Sequence, residues 1–215
     1  MPRLRFTCLS LTLGEQLTAV GVASLLPALQ RPWGTDWHLE IDGFLAEAGA
    51  VALAKALPPA LETLFFEGVQ GVGDVGMLAI VAALPKLPRL RYLCMTEVYA
   101  VTARGWVALA GALPSLPALE MFSCRGNDNL GPQGARAIAA AVPHCPQLRV
   151  LDLENSLSFE EADPHLYYHP DSAAQALLAL QRPRDHPAGE LRVTLIAASD
   201  VNHENEISWQ DLNWN

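Results

Sequence analysis

The chain has 215 residues, 51 % hydrophobic and 17 % charged, a balance that suits a packed core and excludes a disordered chain. Its net charge is −9, yet residues 1–150 balance 11 Lys+Arg against 11 Asp+Glu, so the whole excess sits in residues 151–215 with 3 against 12. An acidic chain without a basic stripe argues against nucleic acid and anionic lipid as partners, and no apolar run reaches the roughly 20 residues of a membrane span.

A repeat organises the rest. Leu61, Leu90, Leu119 and Leu148 recur at intervals of 29 and open similar stretches. Apolar residues hold the fourth and sixth places (Leu64 and Phe66, Leu93 and Met95, Phe122 and Cys124), which share one face of a strand. Glycine holds the sixteenth place (Gly76, Gly105, Gly134), followed at helical spacing by Ile80 and Leu84, Leu109 and Leu113, Ile138 and Val142. Pro85, Pro114 and Pro143 come next and cannot continue a helix. Each unit therefore reads as strand, turn, helix, turn, and stacked units make a parallel sheet with helices behind it.

In chain order, the N-terminal MPRLRFTCLSLTLGEQLTAVGVASLL has arginines and an apolar stretch in the manner of an export signal. Glu15 interrupts that stretch, and the residues fit a first unit opening at Phe6, with Leu9 and Leu11 in the strand and Gly21, Leu25 and Leu29 in the helix. The second unit is placed at Gly34, with Trp37 and Leu39 in the strand and Gly49, Leu53 and Leu57 in the helix. The openings are then 6, 34, 61, 90, 119 and 148. After LRVLDLENS the sixth unit breaks into SLSFEEADPHLYYHPDS, an insertion of about ten residues read as a surface loop, and its helix is delayed to Ser172–Gln181. RPRDHPAG is a linker, ELRVTLIAAS a seventh strand with Leu191, Val193 and Leu195 on one face. The tail VNHENEISWQDLNWN, with Ile207, Trp209, Leu212 and Trp214, is expected to cover the last open face of the stack. The expectation is one domain: regular repeats 6–155, an irregular repeat with its insertion 156–190, and a terminal strand and acidic cap 191–215.

An LxxLxL strand followed by a helix in a unit of 28 or 29 residues resembles the leucine-rich repeats of the ribonuclease-inhibitor type. The resemblance implies an α/β, right-handed solenoid bent into a horseshoe arc of about seven repeats, with a concave parallel sheet and convex helices. It implies a non-catalytic protein–protein interaction module or scaffold, or a docked subunit of a larger multi-subunit complex. An alternative it carries is regulation of a small GTPase, which some such repeats activate. The pattern departs at the ninth place, usually Asn or Cys in that family, here Gly14, Asp42, Val69, Val98, Asn127 and Ser156.

Places three, five and seven are expected to face the concave side. There a diagonal of larger groups, Phe65, Tyr92, Met121 and Val150, is edged by Glu40, Glu67, Arg125 and Glu154, an arrangement of anchors and charged rim that suits a protein partner. On the convex side, positions such as Val51, Leu78, Ala82, Val107, Ala108, Gly111 and Ala137 are apolar or small where a freely soluble helix would carry Glu, Lys and Gln, which suggests docking against another subunit. Ser10 and His38, expected at the same place of adjacent strands and flanked by Asp36 and Glu40, invite comparison with a hydrolase, but a flat sheet offers no oxyanion hole, so an exposed polar patch is the better reading. His165 and His169, with Asp163 and Asp171, have zinc-ligand spacing only on a helix, and Pro164 and Pro170 argue for a loop. No phosphate loop, CxxC or HExxH occurs, so no cofactor or metal is expected. Cys8 and Cys94 are expected on the outer side of the sheet, Cys124 in the core and Cys145 in a turn, too dispersed to pair. That favours a reducing, intracellular and cytoplasmic setting.

Overall fold

The alternation of apolar residues along each unit builds a single seven-stranded sheet. Its strands are β1 (Cys8–Leu17), β2 (Trp37–Leu45), β3 (Leu61–Gln70), β4 (Tyr92–Thr96), β5 (Met121–Ser123), β6 (Val150–Asp152) and β7 (Arg192–Thr194). They lie in sequence order and every neighbouring pair is parallel. The computed structural model describes residues 8–17, 20–21, 24, 37–157, 172–182 and 189–195. Between strands run α1 (Glu47–Ala56), α2 (Gly73–Ala83), α3 (Ala103–Ala112), α4 (Gly131–Ala141) and α5 (Ala173–Leu178).

The fourth-place residues meet across the ladder. Leu39, Leu64, Leu93, Phe122 and Leu151 are register partners in turn, and each is 0 % exposed. Helical residues Leu53, Ile80, Leu109, Ile138 and Leu177 join the same core, so the described helices all lie on one side of the sheet. Full burial of each such side chain stabilises by about 1.5–3 kcal/mol, and no unit could bury its own without a neighbour.

The sixteenth-place glycines have a packing cause. A Cβ on Gly76 would lie 2.7 Å from the Ala50 Cβ in the preceding helix, and one on Gly134 3.1 Å from the Trp106 Cβ. Neither has a positive φ, so close approach of helices, not backbone conformation, selects glycine there. The left-handed conformation recurs instead at the eighth place: Gly68 (φ 63), Glu97 (φ 56), Gly126 (φ 70) and Asn155 (φ 56).

Asn127 ties the turns together. Only 1 % exposed, its side-chain amide donates to the Met95 carbonyl (2.6 Å) and the Cys124 carbonyl (2.6 Å), and its oxygen accepts from Val98 N (2.7 Å). Ser156, one unit on, repeats part of this by accepting from Asn127 N (3.0 Å) and donating to the Cys124 carbonyl (2.6 Å). Where the ladder ends, these side chains replace the backbone partners that the turn would otherwise lack.

One expectation needs correction. The register pairs Leu9 with Leu39 and Leu39 with Leu64, so the second unit opens two residues later than Gly34. Gly43 (φ 101) then takes the left-handed eighth place, in line with its counterparts. A slip of two leaves an alternating strand facing the same way, so Trp37, Leu39 and Ile41 could not fix the count by themselves. Strand length also differs: β1 to β3 run nine or ten residues, whereas β4 to β7 run three to five.

Candidate binding surface

Odd places point away from the helices and form two long rows. In one, His38, Thr63, Tyr92, Met121, Val150 and Arg192 are successive register partners; in the other, Glu40, Phe65, Cys94, Ser123 and Asp152. The expected neighbours Ser10 and His38 are not brought together: Ser10 pairs with Glu40, and His38 with Cys8 on one side and Thr63 on the other. His38 Nδ1 shares a 2.7 Å hydrogen bond with the Thr63 hydroxyl.

The diagonal of large groups is only partly available. Phe65, Tyr92 and Val150 are half-buried, but Met121 is 3 % exposed, held between Tyr92 and Val150 in the adjacent strands. Cys94, expected on the outer side, is likewise 3 % exposed, and burial pushes its thiol well above the usual range. Rungs spaced about 4.8 Å apart crowd same-face side chains, which the spacing of the sequence does not reveal. Cys94, Cys124 and Cys145 are all free thiols, and burial raises Cys145 to about 11.

The charges of this face fall into two margins. Where the strands begin, the described acids have arginines: Glu62 has Arg89 at 2.6 Å, and Glu120 has Arg91 through two bonds of 2.9 and 3.0 Å. Arg91 also lies 5.1 Å from the Tyr92 ring centroid, a cation–π distance. Toward the strand ends Glu154 has Arg125 at 3.0 Å, while Asp42 and Glu67, and Glu40 midway along β2, have no ion pair among the described residues. Burial, then repulsion from Glu40, Asp42 and Glu97, holds the Glu67 carboxyl above the ordinary glutamate value. Asp152 is raised too, by burial first, opposed by hydrogen bonds from Glu154 N (3.0 Å) and Ser123 Oγ (3.2 Å).

Beside this acidic margin stand two exposed aromatics absent from the sequence-based reading, Phe44 (37 %) and Tyr99 (45 %). Phe44 lies over Gly71, where a Cβ would meet its ring at 2.9 Å, and the Tyr99 hydroxyl is hydrogen-bonded to Glu97, which raises its pKa. The recurring glycine at place eight, Gly43, Gly68 and Gly126, was the signal that would have set the second unit in register and brought Asp42 and Phe44 to this margin.

On the helical side Leu78 and Val107 are 36 % and 41 % exposed, Ala82 and Gly111 are exposed, and Val51, Ala108 and Ala137 are half-buried. A Cβ on Gly111 would meet nothing within 4 Å. Asp36, the insertion with Asp163, His165, His169 and Asp171, and the tail from 196 onward lie outside the described residues. Among the described residues no group of three or more His, Cys, Asp or Glu is placed to hold a metal ion, and no helix is long and apolar enough to cross a membrane. Compared with known proteins, the chain matches no protein-family model and no curated protein sequence.

Proposed function

We propose that the chain is a solenoid of leucine-rich-repeat units and works as a non-catalytic, intracellular protein-binding module whose partner seats on the sheet face away from the helices. The observation that carries this reading is the combination, on that face, of half-buried Phe65 and Tyr92 with carboxylates that have no cation of their own among the described residues. Aromatic anchors edged by charge are the usual composition of a recognition surface. A second reading is favoured by the exposure of Leu78 and Val107: docking of the helical side against another subunit of an assembly.

Affinity capture with matched baits separates the two. Phe65→Ala with Tyr92→Ala should lose the partner retained by the unaltered chain, and Leu78→Glu with Val107→Glu should keep it. The reverse pattern transfers the function to the helical side. A partner kept by both baits overturns both readings.

A further inference from the structure

We propose that the sheet face of β2, β3 and β4 receives an extended arginine- or lysine-rich segment of a partner protein, laid across the C-terminal ends of those strands. The inference rests on the protein-binding reading above and names the chemistry of the partner. It stands on the contrast between the two margins of one face. At the strand beginnings Glu62 and Glu120 are each neutralised by an arginine of the same chain. Farther along the strands, Glu40, Asp42 and Glu67 have no ion pair among the described residues, and Arg125 is already taken by Glu154.

The aromatic groups define what kind of cation fits. Phe65 is the register partner of Glu40, exposed Phe44 stands two residues beyond Asp42 on the same strand, and the exposed Tyr99 hydroxyl is hydrogen-bonded to Glu97. A guanidinium or ammonium can pair with such a carboxylate while resting on the neighbouring ring, which a hydrated inorganic ion cannot do as well. The acids are also spread over β2, β3 and the turn after β4, with no three placed for one metal ion among the described residues. Asp42 and Glu97 stand two strands apart, roughly 10 Å, which about three residues of extended chain also span. Cations three residues apart in a partner segment therefore match the acids of β2 and of the turn after β4.

The test uses the full chain and a fluorescein-labelled peptide, Arg-Gly-Gly-Arg-Gly-Gly-Arg, with a glutamate-for-arginine peptide as its counterpart, read by fluorescence anisotropy. The arginine peptide should bind and the glutamate peptide should not. The triple variant Asp42→Asn, Glu67→Gln, Glu97→Gln should weaken binding at least about tenfold, whereas the charge-matched Glu62→Gln, Glu120→Gln, Glu190→Gln, at acids already paired with arginines, should change it less than about twofold. Tyr99→Ala, a substitution at an exposed ring, should weaken it about threefold with the fold intact. Equal losses in the two triple variants would reduce the effect to overall charge and overturn the proposal, as would absence of binding. Should the peptide fail while the Phe65→Ala, Tyr92→Ala bait still loses its partner, the partner's chemistry is wrong and the binding face stands. If that bait also keeps its partner, the face itself is wrong.

Discussion

Replacing Asn127 by alanine should be among the most damaging single changes in the chain. The side chain is 1 % exposed and serves four backbone groups across two units: it accepts from Val98 N and donates to the Met95, Cys124 and Arg125 carbonyls. Cys124 keeps a second donor in Ser156 Oγ and the Arg125 carbonyl keeps Glu97 N, so the groups orphaned by Asn127→Ala are Val98 N–H and the Met95 carbonyl. Each buried orphan costs about 1–3 kcal/mol, which places the loss at about 4 kcal/mol. A domain of this size loses about 2–4 °C of Tm per kcal/mol, so the midpoint should fall by about 12 °C. Urea and thermal unfolding followed by circular dichroism measure both quantities. Asn129→Ala is the internal comparison: its amide donates to the Tyr99 carbonyl (2.6 Å) at an exposed site, and its removal should cost under about 1 kcal/mol. A difference between the two variants smaller than about 1 kcal/mol would refute the view that Asn127 holds the turns in register.

Three further outcomes follow from the same geometry. Gly76→Ala should destabilise by about 1–3 kcal/mol in chemical denaturation, because the new Cβ has Ala50 Cβ only 2.7 Å away in the preceding helix. Glu97→Gly should stabilise by about 0.5 kcal/mol, since relief of a left-handed φ of 56° outweighs the greater freedom of glycine in the unfolded chain. Glu67→Gln should stabilise slightly at neutral pH, by about 0.3 kcal/mol for a solvent-screened group. The folded chain holds the Glu67 proton more tightly than the unfolded chain, so protonation favours folding and the advantage of the glutamine should fade as pH falls through the raised native pKa. An advantage that grows with acid, in unfolding curves measured across that window, would contradict the assigned repulsion.

The strands, their order of apolar places and the helices behind them were legible because each unit changes period from two to about 3.6 at a fixed position. Ile80, Leu109 and Ile138 fall in the core as their spacing implies. The second unit was not legible to the residue, since Trp37, Leu39 and Ile41 alternate and any slip of two preserves their pattern. Exposure was harder still. Met121 and Cys94 occupy outward places yet are buried by neighbours that are 29 residues distant in the chain or nearly so, and a single strand carries no record of its neighbours. The separation of charges into a paired margin and an unpaired one follows from which end of a strand a residue occupies, and it appears only when the units are set side by side.

All of these surfaces exist only if successive units are adjacent rungs in this register. The backbone amides of Arg91, Glu120, Arg149 and Arg192 bond the carbonyls of Glu62, Arg91, Glu120 and Arg149 at 2.8, 2.8, 2.7 and 2.8 Å. Scalar couplings across hydrogen bonds, recorded on the deuterated, isotope-labelled chain by nuclear magnetic resonance, report these pairs one by one. Four cross-peaks joining those partners are predicted. Couplings that join these amides to carbonyls two residues away, or to residues of a non-neighbouring unit, would contradict the register and remove both proposed faces with it.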